Sequence, residues 1–91
     1  MSYSIDFTSE AQKTLSKFKK SNPVAFKKVV KLMPELAEHP RTGTAHPEPL
    51  KAGNDITWSR RITASDRLIY DIYEDTITVL ILTLEGHYKD K

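Results

Sequence analysis

The chain has 91 residues, a formal net charge of +2 and no cysteine. That length suits one domain around a single core, and the missing cysteine excludes a disulfide framework and a thiolate metal site. No apolar run approaches the roughly 20 residues of a membrane span, and the opening "MSYSIDFTSEAQ" lacks the charged-then-apolar order of a secretory leader, so the expected location is the cytoplasm.

Residues 3–7, "YSIDF", alternate Tyr3, Ile5 and Phe7 with Ser4 and Asp6, the period of a half-buried strand. A helix is predicted from Ser9, whose hydroxyl would cap it with Gln12 as capping-box partner, to near Lys20, with Ala11, Leu15 and Phe18 on its apolar face. Asn22 and Pro23 restart the chain as cap and first helical residue. The second helix carries a stripe of Phe26, Val29, Val30, Met33, Leu36 and Ala37. Pro34 deletes a backbone donor, which predicts a kink, or a break followed by a short turn to about Glu38.

Residues 39–54 read as loop. Residues 57–63 and 67–73 read as strands around a short turn at Ala64, Ser65 and Asp66, and residues 76–84, apolar on both faces, read as a central strand. The order β-α-α-β-β-β predicts an α+β fold in one domain over residues 1–91: two N-terminal helices packed on one face of a mostly antiparallel four-stranded sheet.

The net charge is a weak pull toward an anionic partner, and its distribution is more informative. Arg60, Arg61 and Arg67 stand out because a guanidinium suits bidentate phosphate contacts. With a loop over residues 64–66, Thr63 would pair with Arg67 and Arg61 with Ile69. Arg61 and Arg67 would then be diagonal neighbours on one face, with Trp58, Ile62, Leu68, Tyr70 and Ile72 on the face toward the helices. Two readings stand for the arginine pair, an anion site or a charged edge that discourages aggregation. Glu48 lies between Pro47 and Pro49, which hold the backbone extended, and on its own it is an ordinary exposed glutamate. His39 and His46 read as solvated loop histidines, and no two of the histidines share a metal-ligand spacing. Trp58, Tyr70 and Tyr73 read as core.

His87 and Tyr88 follow Gly86 just past the last predicted strand. Either they belong to a frayed tail, or Gly86 turns the chain so that His87 comes beside the strand carrying Arg67. A carboxylate, an imidazole and guanidinium groups in one cleft suit RNA cleavage: a base takes the 2′-hydroxyl proton, an acid protonates the departing 5′-oxygen, and fixed cations stabilise the phosphorane. This chemistry needs no metal or cofactor. No serine or cysteine nucleophile and no Gly-rich phosphate loop is evident.

Taken in order, "PEPLK", "WSRRIT", "RLIY" and the terminal "HY", from about residue 47 to residue 88, resemble the RelE/YoeB group of toxins from bacterial type II toxin–antitoxin modules, and most closely its Txe/YoeB branch. The resemblance implies a ribosome-dependent endoribonuclease, an mRNA interferase that cuts mRNA in the decoding site of bacterial ribosomes and stops translation. On matching positions it implies Glu48 as general base, Arg67 on the scissile phosphate, His87 as general acid, and Tyr88 orienting the RNA or the histidine. Arg61 and Lys51 would add phosphate contacts. It also implies contact with ribosomal RNA and a YefM/Axe-like antitoxin that folds as it binds, and it leaves room for a homodimer. Two departures are visible: about two extra residues between Arg67 and His87, and Lys89-Asp90-Lys91 after the His-Tyr pair. They motivate an alternative, a non-catalytic ribosome- or antitoxin-binding module of the same fold. A gyrase-poisoning relative of the ParE type is a further alternative, against which the Glu48 and His87 pair counts.

Overall fold

In the computed structural model, which describes residues 2–50 and 55–85, the elements follow in the order β1 (Ser4–Phe7), α1 (Ser9–Ser21), α2 (Pro23–Glu38), β2 (Glu48–Pro49), β3 (Thr57–Arg61), β4 (Arg67–Tyr73) and β5 (Thr78–Thr83). The strands form one sheet in the order β1-β5-β4-β3-β2. β1 runs parallel to β5, and every other neighbouring pair is antiparallel. The helices and the sheet share one core, so the expected α+β architecture is present. No helix among the described residues is long and apolar enough to cross a membrane.

One strand was not expected. Glu48–Pro49 adds a two-residue fifth strand beside β3 inside the predicted loop. Two prolines in a row of four residues hide it from any periodicity argument, yet an edge strand is where proline fits a sheet. Leu50 continues the pairing, its N–H donating to the Thr57 carbonyl at 2.9 Å.

α1 is capped by Thr8 rather than Ser9. The Thr8 hydroxyl accepts from the Ala11 N–H at 3.1 Å and donates to the Leu82 carbonyl on β5 at 2.8 Å, so a tertiary bond selects between two adjacent candidate caps. Asn22 caps α2 as expected, accepting from the Ala25 N–H at 3.3 Å. Pro34 does not break α2, which is one helix from Pro23 to Glu38. Leu32 and Leu36, on either side of the proline, are buried. Burial of each contributes about 1.5–3 kcal/mol, enough to offset the roughly 3 kcal/mol that an interior proline costs.

The buried stripe of α2 is Ala25, Val29, Leu32 and Leu36, whereas Val30, placed in the stripe by sequence, is half exposed. These side chains and Ala11 and Phe18 of α1 meet Leu68, Tyr70 and Ile72 of β4 and Val79 and Ile81 of β5. Trp58 and Ile62 join the same core, as the alternation predicted. Tyr73 does not: it is exposed, and its hydroxyl donates to Asp71 Oδ2 at 2.7 Å.

Candidate active site

The β3–β4 hairpin closes through a longer connection than the sequence suggested, residues 62–66 rather than 64–66. Arg61 lies directly opposite Arg67, and Ser59 opposite Ile69. Beyond them Ile62 N–H and Thr63 N–H both donate to the Asp66 carbonyl, at 2.9 and 3.2 Å. The Thr63 hydroxyl donates to Asp66 Oδ2 at 3.0 Å and accepts from the Asp66 N–H at 3.1 Å, so local side-chain bonds take residues 62–66 out of the ladder. The expected pairing of Thr63 with Arg67 is therefore shifted by two residues. A shift of two preserves which face each side chain occupies, whereas a shift of one would reverse it. The arginine pair stays on the face away from the helices, now as direct partners rather than diagonal ones.

Glu48 pairs with Ser59 across β2 and β3, which places its carboxylate on that same outer face. His46, Glu48, Ser59, Arg61 and Arg67 line one small cleft there. Arg67 Nη1 stands 3.7 Å from Glu48 Oε2, with 45% and 61% of the two side chains exposed. An ion pair that open to solvent adds little to stability. Arg61 has no hydrogen-bond or ion-pair partner for its guanidinium among the described residues. Two like charges facing each other across a ladder are destabilising, and the attraction of a bound anion to both would offset that repulsion.

Arg60, weighed from the sequence alongside Arg61 and Arg67, is not part of this cleft. It pairs with Leu68 on the helix-facing side of the sheet and is fully buried. Nη1 donates to Glu35 Oε2 at 3.0 Å and to the Thr44 carbonyl at 3.2 Å; Nη2 donates to the carbonyls of His39 and Thr42 at 2.6 and 2.7 Å. Nε donates to the Tyr70 hydroxyl at 3.2 Å, which in turn donates to the Pro40 carbonyl at 2.6 Å. A buried guanidinium is tolerated because its donors are satisfied in this way. The Thr44 hydroxyl donates to Glu35 Oε1 at 2.8 Å and the Thr44 N–H to Oε2 at 2.5 Å. The hydroxyl bond, aided by that N–H and by Arg60 and opposed by desolvation, holds the Glu35 carboxyl below its ordinary value. Burial pushes the Tyr70 phenol up, against the pull of Arg60.

The result is a strap over residues 39–44 tied to the sheet from beneath. Gly43 (φ +116°) passes so close to Glu35 that a Cβ there would lie 1.5 Å from Oε2. The Ala45 carbonyl then accepts from the Arg61 N–H at 2.8 Å, and the chain enters Pro47 and Glu48 with Ala45 and His46 both at positive φ. Glu48 is thus positioned by a buried cation on the other side of the sheet.

Lys51, His87 and Tyr88 lie outside the described residues. β5 pairs Thr83 with Ile69, two residues from Arg67, so Leu84 and Glu85 lie at the end of the sheet that carries the cleft. Glu85 forms an ion pair with Lys17 of α1. Among the described residues no group of His, Cys, Asp and Glu could hold a metal ion. A larger cleft of about 440 Å³ lies at the opposite end of the sheet, lined by Asp55, Ile56, Ile72, Tyr73, Glu74 and neighbouring residues. Its Arg41 is already engaged by Asp55 at 3.2 Å and Glu74 at 2.7 Å, so size there comes without a cation available to a phosphate.

Sequence reasoning missed His46 and Ser59 as cleft residues. For Ser59 the signal was present, since it alternates with Arg61 along a strand; for His46 it was only its place two residues before Glu48.

The family model of the YoeB-like toxin of bacterial type II toxin–antitoxin systems matches residues 7–88. The chain belongs to this family. It is 35% identical over 72 residues to the toxin YoeB of Synechocystis sp., covering 79% of this chain and 81% of that one. A YoeB/ParE toxin from Agrobacterium tumefaciens superposes with a TM-score of 0.84 at 25% identity, over 93% of this chain and 99% of that one. A YoeB–YefM complex from Staphylococcus aureus contains a chain similar at a TM-score of 0.78 and 26% identity, over 94% and 98% of the two chains.

Proposed function

We propose that this toxin is an endoribonuclease that cleaves ribosome-bound mRNA in the decoding site, without a metal, by general acid–base attack of a ribose 2′-hydroxyl. In this reading Glu48 takes the 2′-hydroxyl proton as that oxygen attacks the adjacent phosphorus. Arg67 and Arg61 flank the non-bridging oxygens, where negative charge accumulates in the phosphorane. His87 delivers a proton to the 5′-oxygen as the phosphorus–oxygen bond breaks, Tyr88 orients the RNA or the imidazole, and Lys51 adds a contact to a neighbouring phosphate. The observation that carries the reading is the cleft itself: a carboxylate 3.7 Å from one arginine, a second arginine directly opposite the first, and an edge strand paired to β3 that carries the carboxylate.

The ordinary worth of a positioned acid or base is about 10²–10⁴ in rate, and removing one fixed donor from a developing oxyanion costs about 10²–10³. The partner that keeps such an activity in check is proposed to be a YefM-like antitoxin, supported by the likeness to the Staphylococcus aureus YoeB–YefM complex. Mapping mRNA 5′ ends after induction tests the reading in cells. New ends within the codon of the decoding site are expected from the wild-type chain and not from Glu48→Ala or Arg67→Ala. Growth arrest without new ends would replace cleavage by a purely binding toxin.

A further inference from the structure

His46 shares the cleft with Glu48, Ser59, Arg61 and Arg67, but the reaction above gives it no task. Its side chain is exposed and has no hydrogen-bond or ion-pair partner among the described residues. Its backbone, at φ +54°, and that of Ala45, at φ +66°, both occupy the left-handed region. Histidine visits that region more readily than most residues, but two consecutive non-glycine residues there store strain of order 1–3 kcal/mol each. The bonds of the neighbouring residues hold the histidine in that conformation at the mouth of the cleft. Ala45 is held by the Arg61 N–H, the preceding strap by Arg60 through the carbonyls of His39, Thr42 and Thr44, and the following residue by its proline ring.

Resting on the reading of this cleft as an RNA site, we infer that His46 is a further RNA contact, its protonated imidazole donating an N–H to a backbone phosphate of the single strand alongside Arg61. The charged groups that face it are Glu48 on β2, Arg61 on β3 and Arg67 on β4. A phosphate drawn between the two arginines therefore meets a third cation when the imidazole is protonated, and loses one when it is neutral. RNA affinity therefore depends on whether that imidazole carries its proton.

The test is the salt dependence of binding between the purified 91-residue chain and a single-stranded RNA oligonucleotide blocked by 2′-O-methylation. It is measured at about pH 5.5 and about pH 8. Each phosphate contact to a single strand steepens the plot of log affinity against log salt by about 0.7. The steepening of the wild-type plot at acid pH is expected to shrink by about that amount in His46→Ala. His46→Lys, a permanent cation, is expected to keep the steep slope at both pH values. A residue that merely shaped the loop would not move the slope in this charge-dependent way. If His46→Ala keeps the wild-type slopes while Arg61→Ala flattens them, the His46 contact is wrong and the cleft stands. If Arg61→Ala and Arg67→Ala leave the slopes unchanged as well, the RNA cleft is wrong and His46 falls with it.

Discussion

Arg60 and Arg61 adjoin in sequence and occupy opposite faces of β3. The inner one is fully buried and spends its donors on Glu35, Tyr70 and three backbone carbonyls. The outer one faces Arg67 across the ladder with its guanidinium unpartnered among the described residues. The same side chain thus serves the fold on one face and is left free for an anion on the other, and the alternation of a strand decides which. The two faces also depend on each other. The inner arginine ties down the strap that delivers Glu48, so the outer cleft inherits its geometry from a network on the helix side.

Substitutions can break that comparison, and the largest effect is expected at the inner arginine. Arg60→Ala leaves Glu35 and the strap carbonyls without their donor. Breaking a buried pair costs about 3–5 kcal/mol, and each kcal/mol lowers Tm by about 4–8 °C in a domain of this size. Thermal unfolding should therefore show a fall in Tm of more than about 10 °C. Gly43→Ala sharpens the same point at smaller scale. It forces a left-handed backbone and a methyl group against Glu35, for an expected loss of about 1–3 kcal/mol by denaturant titration.

Glu35→Gln tests the electrostatic part. The Glu35 carboxyl lies below its ordinary value of 4.5 in the folded chain, so the unfolded chain binds more protons as pH falls past that value. The stabilisation from its charge is complete above about 4.5 and is lost as pH falls through the depressed folded value. The stability gap between wild type and Glu35→Gln should be widest near neutrality and close in acid. The smallest effect is expected on the outer face: Arg61→Ala should leave stability within about 0.5 kcal/mol of wild type, or raise it slightly by removing a like-charge pair. A Tm loss matching that of Arg60→Ala would end the distinction between the two faces.

The elements with strong periodicity were legible in the sequence: β1, both helices, β3, β4 and β5, and the face to which Trp58, Ile62, Leu68, Tyr70 and Ile72 belong. The features that escaped were set by partners far away in the chain. Arg60 reads as a surface cation until Glu35, 25 residues earlier, and the carbonyls of residues 39–44 are brought beneath it. Thr8 rather than Ser9 caps α1 because Leu82 offers a carbonyl from β5. The edge strand at Glu48 is masked by the prolines that make it rigid. At the cleft, the outer-face position of Arg61 and Arg67 followed from parity and survived a register error of two residues, whereas their direct opposition did not follow. Glu48 could be singled out only through the family motif, because the network that fixes it leaves no local pattern.

The central claim is that Glu48 and the arginine pair form a cleaving site. Single-turnover cleavage of mRNA bound to programmed ribosomes tests it most directly, comparing wild-type chain with Glu48→Ala at matched thermal stability. The account predicts a rate loss of about 10²–10⁴ with ribosome binding retained. An unchanged rate with the carboxylate gone would contradict it.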